Sequence, residues 1–121
     1  MSALCWVKVL MSAERARISV TVRPDEVDPY GIVHHSKYAV WCEMALCELL
    51  KAQKRAFSHY RVSHFKCKYQ MSARLNDSAE ILIRTGKPGE VPDIERFLFQ
   101  VSDMATHRIF TSGELEVQVI A

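Results

Sequence analysis

One acidic side chain, Asp28, lies in a stretch whose residue types suit acyl-transfer chemistry. Asp28-Pro29 predicts a tight turn, because an Asp side chain can bind backbone N–H groups two residues further on and Pro29 fixes φ. Gly31 allows a positive φ in the same loop, and a helical pattern begins just past His34. We therefore expect a carboxylate a few residues before a helix N-terminus, whose unpaired N–H groups would hold an anion or a developing oxyanion.

The elements on either side of this loop follow from hydrophobic periodicity. Residues 16–23 alternate, with Ile18, Val20 and Val22 on one face, and predict a half-buried strand that Pro24 ends. From Ser36 to about Arg55 the period changes to three and four residues, which predicts a helix. This helix is apolar on more than one face, as expected for a central helix wrapped by other elements. Its apolar positions are Tyr38, Trp41, Ala45 and Leu49, with Val40, Met44 and Leu46 alongside.

The remainder of the chain predicts four more strands. They span residues 62–71, 79–85, 94–101 and 107–120, with a turn at Asn76-Asp77 and a bulge or close approach at Gly113. In the first of them, Val62 shares one side with His64 and Lys66 in simple alternation. The strands follow one another too closely for crossover helices, so the sheet is expected to be mostly antiparallel. The predicted fold class is α+β, with one long central helix wrapped by a five-stranded sheet.

Length and charge limit the possible functions. A chain of 121 residues is expected to form a single domain, and a net charge of +2 with a pI near 8.4 is too slight to indicate nucleic-acid binding. Residues 1–13 look like an appended N-terminal arm, or alternatively a short strand. Their apolar run is too short for a membrane span and lacks the pattern of a signal peptide. The four cysteines are Cys5, Cys42, Cys47 and Cys67. They form no metal-ligand spacing with the histidines, so no metal site is expected. We expect reduced thiols in a cytoplasmic protein.

The run Asp28-Pro29-Tyr30-Gly31-Ile32-Val33-His34-His35-Ser36-Lys37-Tyr38, followed by Trp41, Glu43 and Glu48, resembles a known motif. It is similar to that of the hotdog-fold thioesterases, specifically the 4-hydroxybenzoyl-CoA thioesterase and acyl-CoA thioesterase group. The closing Gly113-Glu114-Leu115-Glu116-Val117 also resembles the last strand of that family. The resemblance implies a single hotdog domain over residues 1–121, assembled as a homodimer or homotetramer.

The resemblance also implies roles for the residues of the motif. Asp28 would be the catalytic carboxylate, as nucleophile or as base for water, and the alternative is an Asp that only caps its own turn. His35 would hold the thioester oxygen through its backbone N–H, so its side chain could be incidental. Tyr30 and Gly31 would lie on the substrate side of the loop, and Tyr38 would either line the acyl pocket or only pack.

Glu43 lies eight residues past His35, where a second branch of hotdog thioesterases carries its catalytic carboxylate on the helix. A buried Glu is costly without a partner. We favour a structural role for Glu43, as a hydrogen bond to the loop or to a partner subunit. Lys66, Lys68 and Arg74 could meet the phosphates of CoA or of a carrier-protein arm, although a solvated strand face is the simpler interpretation.

The function implied is a thioesterase that hydrolyses an acyl thioester to the free acid and a thiol. The carrier would be CoA or an acyl carrier protein, as in polyketide or fatty acid metabolism, with no cofactor, nucleic acid or membrane involved. A hotdog dehydratase or hydratase is the alternative enzyme, although its Asp-x-Asn-Pro-x-His stretch is absent. A non-catalytic acyl-thioester-binding module is the other alternative. The acyl chain is left open, because the segment from Lys54 to Arg61, which shapes the acyl pocket in the family, is shorter than usual here.

Overall fold

The computed structural model describes residues 14–87 and 91–120. Residues 1–13, for which an arm or a short strand was expected, lie outside the described residues together with Cys5. The chain forms strand β1, a 3-10 turn, helix α1, a second 3-10 turn and strands β2 to β5. Their bounds are Arg15–Thr21 for β1, Pro24–Glu26 for the first turn, His35–Ala52 for α1, Phe57–His59 for the second turn, Tyr60–Tyr69 for β2, Ser78–Thr85 for β3, Ile94–Asp103 for β4 and Ile109–Val119 for β5.

The five strands form one sheet in the order β1-β3-β4-β5-β2, and every neighbouring pair is antiparallel. Helix α1 packs across one face of this sheet, mainly over β1 and β3. This arrangement confirms the predicted α+β architecture. Strands β1 and β2 are the two edges, and β2 is the longer of them.

The inner face of α1 supplies much of the hydrophobic core. Tyr38, Trp41, Ala45 and Leu49 are buried against the sheet, as their spacing predicted. The expectation that the helix is wrapped on several faces is wrong for two of its apolar residues. Val40 is 45% exposed and Met44 is 47% exposed, because no element of the described chain covers the face opposite the sheet.

The predicted face pattern of β2 is wrong at its start. The pairing with β5 shifts register between Val62 and His64, which marks a β-bulge. Because of this extra residue, Val62 pairs with Val117 and packs against the core on the same side as Phe65. Simple alternation cannot predict such a shift, because the bulge is specified by the pairing with the neighbouring strand.

The structure confirms the close backbone approach expected at Gly113, and this residue does not lie in a bulge. It pairs with Cys67 of β2 and Phe99 of β4. A Cβ at this position would lie 1.9 Å from the Lys66 carbonyl oxygen and 2.7 Å from the Cys67 Cα. Since both are backbone atoms, β2 can keep this pairing only while residue 113 lacks a side chain.

We expect Gly113→Ala to lower the free energy of unfolding by about 3 kcal/mol, the upper part of the range for overpacking. Urea denaturation monitored by circular dichroism measures this change. Ser112→Ala, one residue away on the outer face of the same strand, is the matched control and should stay within about 0.5 kcal/mol of the parent protein. Equal stability of the two variants would mean that β2 is not held this close to β5.

Candidate active site

The loop that carries Asp28 is a short hairpin directly before α1. Val27 and Val33 form an antiparallel bridge, the Asp28 N–H donates to the Ile32 carbonyl at 2.9 Å, and the His34 N–H donates to the Glu26 carbonyl at 3.0 Å. The hairpin thus fixes the first residue of α1 relative to Asp28. About 10 Å of extended chain separates Ile32, beside Asp28, from His35.

The Asp28 carboxylate is half-buried and organises the tip of this hairpin. Its Oδ1 atom accepts hydrogen bonds from the backbone N–H groups of Tyr30 at 2.9 Å and Ile32 at 3.1 Å. The turn-capping role considered for Asp28 is therefore present. Its Oδ2 atom accepts no hydrogen bond from the described part of the chain, so one oxygen holds the loop while the other is available to a ligand or to water.

Gly31 takes a φ of +76°, and a Cβ built on it would meet nothing within 4 Å. The loop therefore needs glycine for its backbone conformation and not for space. Tyr30, expected on the substrate side, is 83% exposed, and its backbone N–H serves Asp28. Within one chain the Tyr30 side chain lines no enclosed pocket.

Helix α1 begins at His35 with an open N-terminus. His34 occupies the N-cap position without a side-chain hydrogen bond to the helix. Among the described residues, no acceptor binds the backbone N–H groups of His35 and Ser36. These two donors and the partial positive charge of the helix end form a site for a negatively charged oxygen.

The His35 side chain is exposed and stacks on Tyr69 at the end of β2. Their ring centroids lie 4.2 Å apart and the rings are inclined by 18°. This contact joins the helix N-terminus to the edge strand. The imidazole thus takes part in packing, and the action of His35 through its backbone N–H stays a prediction.

Glu26 is a residue of this region that sequence reasoning missed. It is only 7% exposed, and its two carboxylate oxygens accept hydrogen bonds from the Arg23 N–H at 2.9 Å and from the Trp41 indole N–H at 3.1 Å. Its carbonyl also accepts the His34 N–H, so Glu26 ties the hairpin to the inner face of α1. The signal in the sequence was Trp41 itself, since a buried indole N–H requires an acceptor.

Tyr38 packs and does not line a pocket. It is 1% exposed, and its hydroxyl oxygen accepts a hydrogen bond from the Ala73 N–H at 2.9 Å. Burial raises the pKa of Tyr38, so its hydroxyl stays protonated. Of the two roles considered for Tyr38, the structure supports the packing role, in which it holds the segment after β2 beside the Asp28 hairpin.

Glu43 is half-buried on α1 and makes no hydrogen bond or ion pair within the described part of the chain. The expected bond to the loop is therefore not formed. A contact with a partner subunit stays a prediction for Glu43, with catalysis as the alternative.

Of the described thiols, Cys42 is unsuited to act as a nucleophile. Cys42, Cys47 and Cys67 are free, and Cys42 is fully buried. Burial, followed by the neighbouring Cys67, raises the pKa of the Cys42 thiol well above its usual range, so it stays protonated.

No cluster of His, Cys, Asp and Glu in residues 14–87 and 91–120 could hold a metal ion, and no helix of these residues is long and apolar enough to cross a membrane.

Sequence comparison finds no protein-family model and no curated protein that matches the chain. Comparison of structures does find matches. The 1,4-dihydroxy-2-naphthoyl-CoA thioesterase of Synechocystis superposes with a TM-score of 0.78 at 11% identity, over 88% of this chain and 82% of that one. Zebra fish thioesterase superfamily member 2 gives a TM-score of 0.75 at 11% identity, over 92% of this chain and 78% of that one. A hypothetical thioesterase of Streptococcus pneumoniae, solved with coenzyme A, gives a TM-score of 0.77 at 12% identity, over 90% of this chain and 83% of that one.

These matches establish the fold. The chain has the hotdog fold of these thioesterases, with one long helix packed on a five-stranded antiparallel sheet. The expected fold is thus confirmed by a comparison that does not depend on the Asp28 motif.

Proposed function

We propose that this protein is a thioesterase that hydrolyses an acyl thioester to a carboxylic acid and a thiol. The observation that carries the proposal is the Asp28 hairpin, which leaves one carboxylate oxygen unbound a few residues before a helix N-terminus with unpaired N–H groups. The hotdog fold, which the chain shares with several thioesterases, supports the same chemistry.

In the proposed mechanism the thioester carbonyl lies between Asp28 and the start of α1. The Oδ2 atom of Asp28 takes a proton from an attacking water, or attacks the carbonyl itself. The oxyanion that develops accepts a hydrogen bond from the backbone N–H of His35. The positive end of the helix dipole stabilises its negative charge further. If water is the nucleophile, the thiolate leaves as the carbonyl reforms and takes up the proton that Asp28 holds, which gives the free acid and the thiol. If Asp28 attacks, the thiolate leaves an acyl–Asp28 anhydride, which a water molecule then hydrolyses to the acid and the free carboxylate. Since Oδ1 is held by two backbone N–H groups, the carboxylate is already oriented before substrate binds.

We propose acyl-CoA as the substrate class, with an acyl carrier protein as the alternative carrier. The coenzyme A in the Streptococcus pneumoniae structure supports the first choice. Among the cations considered for phosphate binding, Lys66 pairs with Glu114 at 3.9 Å, whereas Arg74 lies beside the hairpin through a bridge with Ile32. The Arg74 side chain is exposed and has no ion pair in the described chain, so we assign the contact with the carrier to Arg74.

A panel of acyl-CoAs and acyl carrier proteins, with thiol release and product mass as readouts, tests the proposal. A free acid with stoichiometric thiol supports hydrolysis. An enoyl product without thiol release would indicate a dehydratase instead. Binding without turnover across the panel would indicate a non-catalytic acyl-thioester-binding module.

We further propose that two copies pair along β2 and that the site is completed at this interface. Strand β2 is a ten-residue edge whose outer hydrogen-bonding groups have no neighbouring strand in the described chain. Helix α1 leans toward β1 and β3, so the inner side of β2 with Phe65 is only half-buried. Val40 and Met44 add exposed apolar area on the helix. An open edge beside such a surface favours pairing with a second copy.

We expect sedimentation at micromolar concentration to give a homodimer or a dimer-based tetramer, not the 13.9 kDa monomer. Met44→Glu should shift the equilibrium toward the monomer, because a charge would be buried at the interface. Lys51→Glu, a change on the exposed last turn of the same helix, is the control. A parent protein that sediments only as a monomer would contradict the proposed pairing.

A further inference from the structure

The outer face of the sheet, the face away from α1, carries an ordered pattern of charges. Residues directly opposite one another on neighbouring strands share a face. Residues next to one another along a strand point to opposite faces. One row across the sheet lies on the outer face, because its neighbours along each strand point toward the core. This row is formed by Arg15, Arg84, Leu98, Glu114 and Lys66.

The carboxylates of this face already have partners. Glu80 pairs with Arg17 at 3.7 Å, Glu114 with Lys66 at 3.9 Å, and Glu116 with Arg96 at 3.8 Å. Among the cations of this face without an ion pair in the described chain, Lys68 lies on the edge strand β2, and Arg15 and Arg84 lie together at one end of β1 and β3.

Arg15, Arg84 and Lys87 form no ion pair within the described residues, and Arg15 lies directly opposite Arg84. Like charges placed directly opposite on a sheet repel each other. The fold thus holds Arg15 and Arg84 side by side, with no ion pair to either of them in the described chain.

A cleft of about 590 Å³ opens beside these cations. Three cations line it, and the other lining residues include Gly86, Leu98 and Glu114; the cations are Arg84, Lys87 and Arg96. The Gly86 N–H donates to the Arg96 carbonyl at 2.8 Å, and a Cβ at Gly86 would lie 3.2 Å from that oxygen. A side chain at Gly86 would therefore crowd the Arg96 backbone. The cleft volume falls in the range of small-molecule sites.

We propose that this β3–β4 cleft binds a small molecule that carries a pyrophosphate group or two phosphate groups. The planar guanidinium of Arg84 matches a pair of phosphate oxygens, and Lys87 adds a mobile positive charge. Leu98 provides an apolar surface for the remainder of the ligand. The concave shape and limited volume favour a small molecule over an acidic protein surface.

The β3–β4 cleft is separate from the Asp28 hairpin. The hairpin lies beside the segment that leads into Ser78, the first residue of β3, whereas the cleft lies at the far end of that strand. Seven residues of extended strand correspond to about 23 Å, and the cleft opens on the other face of the sheet. The proposed anion site therefore stands whether or not Asp28 is catalytic.

The test is a titration of the full chain, labelled with ¹⁵N, with inorganic pyrophosphate at low salt, followed by two-dimensional amide NMR. We expect the amide signals of residues 84–87 and 96–98 to shift in a saturable manner. Arg84→Gln should weaken binding about tenfold or more, and Lys87→Gln, in the loop after β3, should also weaken it. Arg61→Gln changes the net charge by the same amount on β2 and should leave the affinity unchanged.

Three results would overturn the proposal. One is the absence of saturable binding to the parent protein. Another is equal weakening by Arg84→Gln and Arg61→Gln, which would mean that only net charge matters. The third is a set of shifts confined to the start of α1, which would place the anion at the helix N-terminus. Dispersed amide spectra of each variant verify that it is folded, and Lys87→Gln, outside the strands, keeps the test decisive if Arg84→Gln is unstable.

Discussion

Asp28→Asn is expected to lower the turnover number for thioester hydrolysis by a factor of about 100 or more, with the fold intact. An Asn side chain keeps an oxygen in the place of Oδ1, so the hydrogen bonds from the Tyr30 and Ile32 N–H groups can persist. It replaces Oδ2 with an amide group, which can neither accept a proton from water nor attack a carbonyl. The substitution therefore separates the chemical role of Asp28 from its role in the turn.

The measurement is the turnover number on the best thioester of the panel, with circular dichroism and thermal unfolding as checks of the fold. Asp25→Asn is the matched control, because it removes the same charge three residues earlier from an exposed side chain. Among the described residues, the Asp25 carboxylate pairs only with Arg23, at 3.5 Å. We expect this control to keep nearly full activity. Near-normal turnover of a folded Asp28→Asn variant would leave Asp28 with the turn-capping role alone.

His35→Pro is expected to lower the turnover number by a factor of about 100 to 1,000, corresponding to the loss of one oxyanion donor. Proline removes the backbone N–H that the proposed mechanism assigns to the oxyanion. Two features of the structure should allow proline at position 35 without loss of the fold. His35 is the first residue of the helix, where proline is well tolerated, and its N–H makes no hydrogen bond among the described residues. His34 already has φ −61° and ψ 140°, the conformation that a residue before proline prefers.

His35→Ala is the matched control for the proline variant. It removes the imidazole and its stacking on Tyr69 but keeps the N–H, so we expect a much smaller loss of turnover. An equal and severe loss in both variants would mean that the imidazole itself takes part in the reaction. A folded and fully active proline variant would move the oxyanion site away from His35.

The sequence by itself determined the main elements of this protein. The alternation of Ile18, Val20 and Val22 predicted β1, and the spacing of Trp41, Ala45 and Leu49 predicted the buried face of α1. These predictions succeed because the period of apolar residues is a local property that the backbone geometry of each element imposes. The Asp28 turn and the positive φ of Gly31 were predictable for the same reason, since both depend on the conformational preferences of a few consecutive residues.

Only the tertiary structure decided how these elements complete one another. Glu26 and Trp41 are fifteen positions apart, and nothing local indicates that the carboxylate accepts the indole N–H. The bulge that turns Val62 inward depends on its pairing with β5, and the exposure of Met44 depends on which elements fail to cover the helix. Likewise, the opposed Arg15 and Arg84 become neighbours only through the register of β1 on β3. Partners of buried polar groups, strand registers and uncovered faces are set by contacts between distant residues, which periodicity and local propensity do not encode.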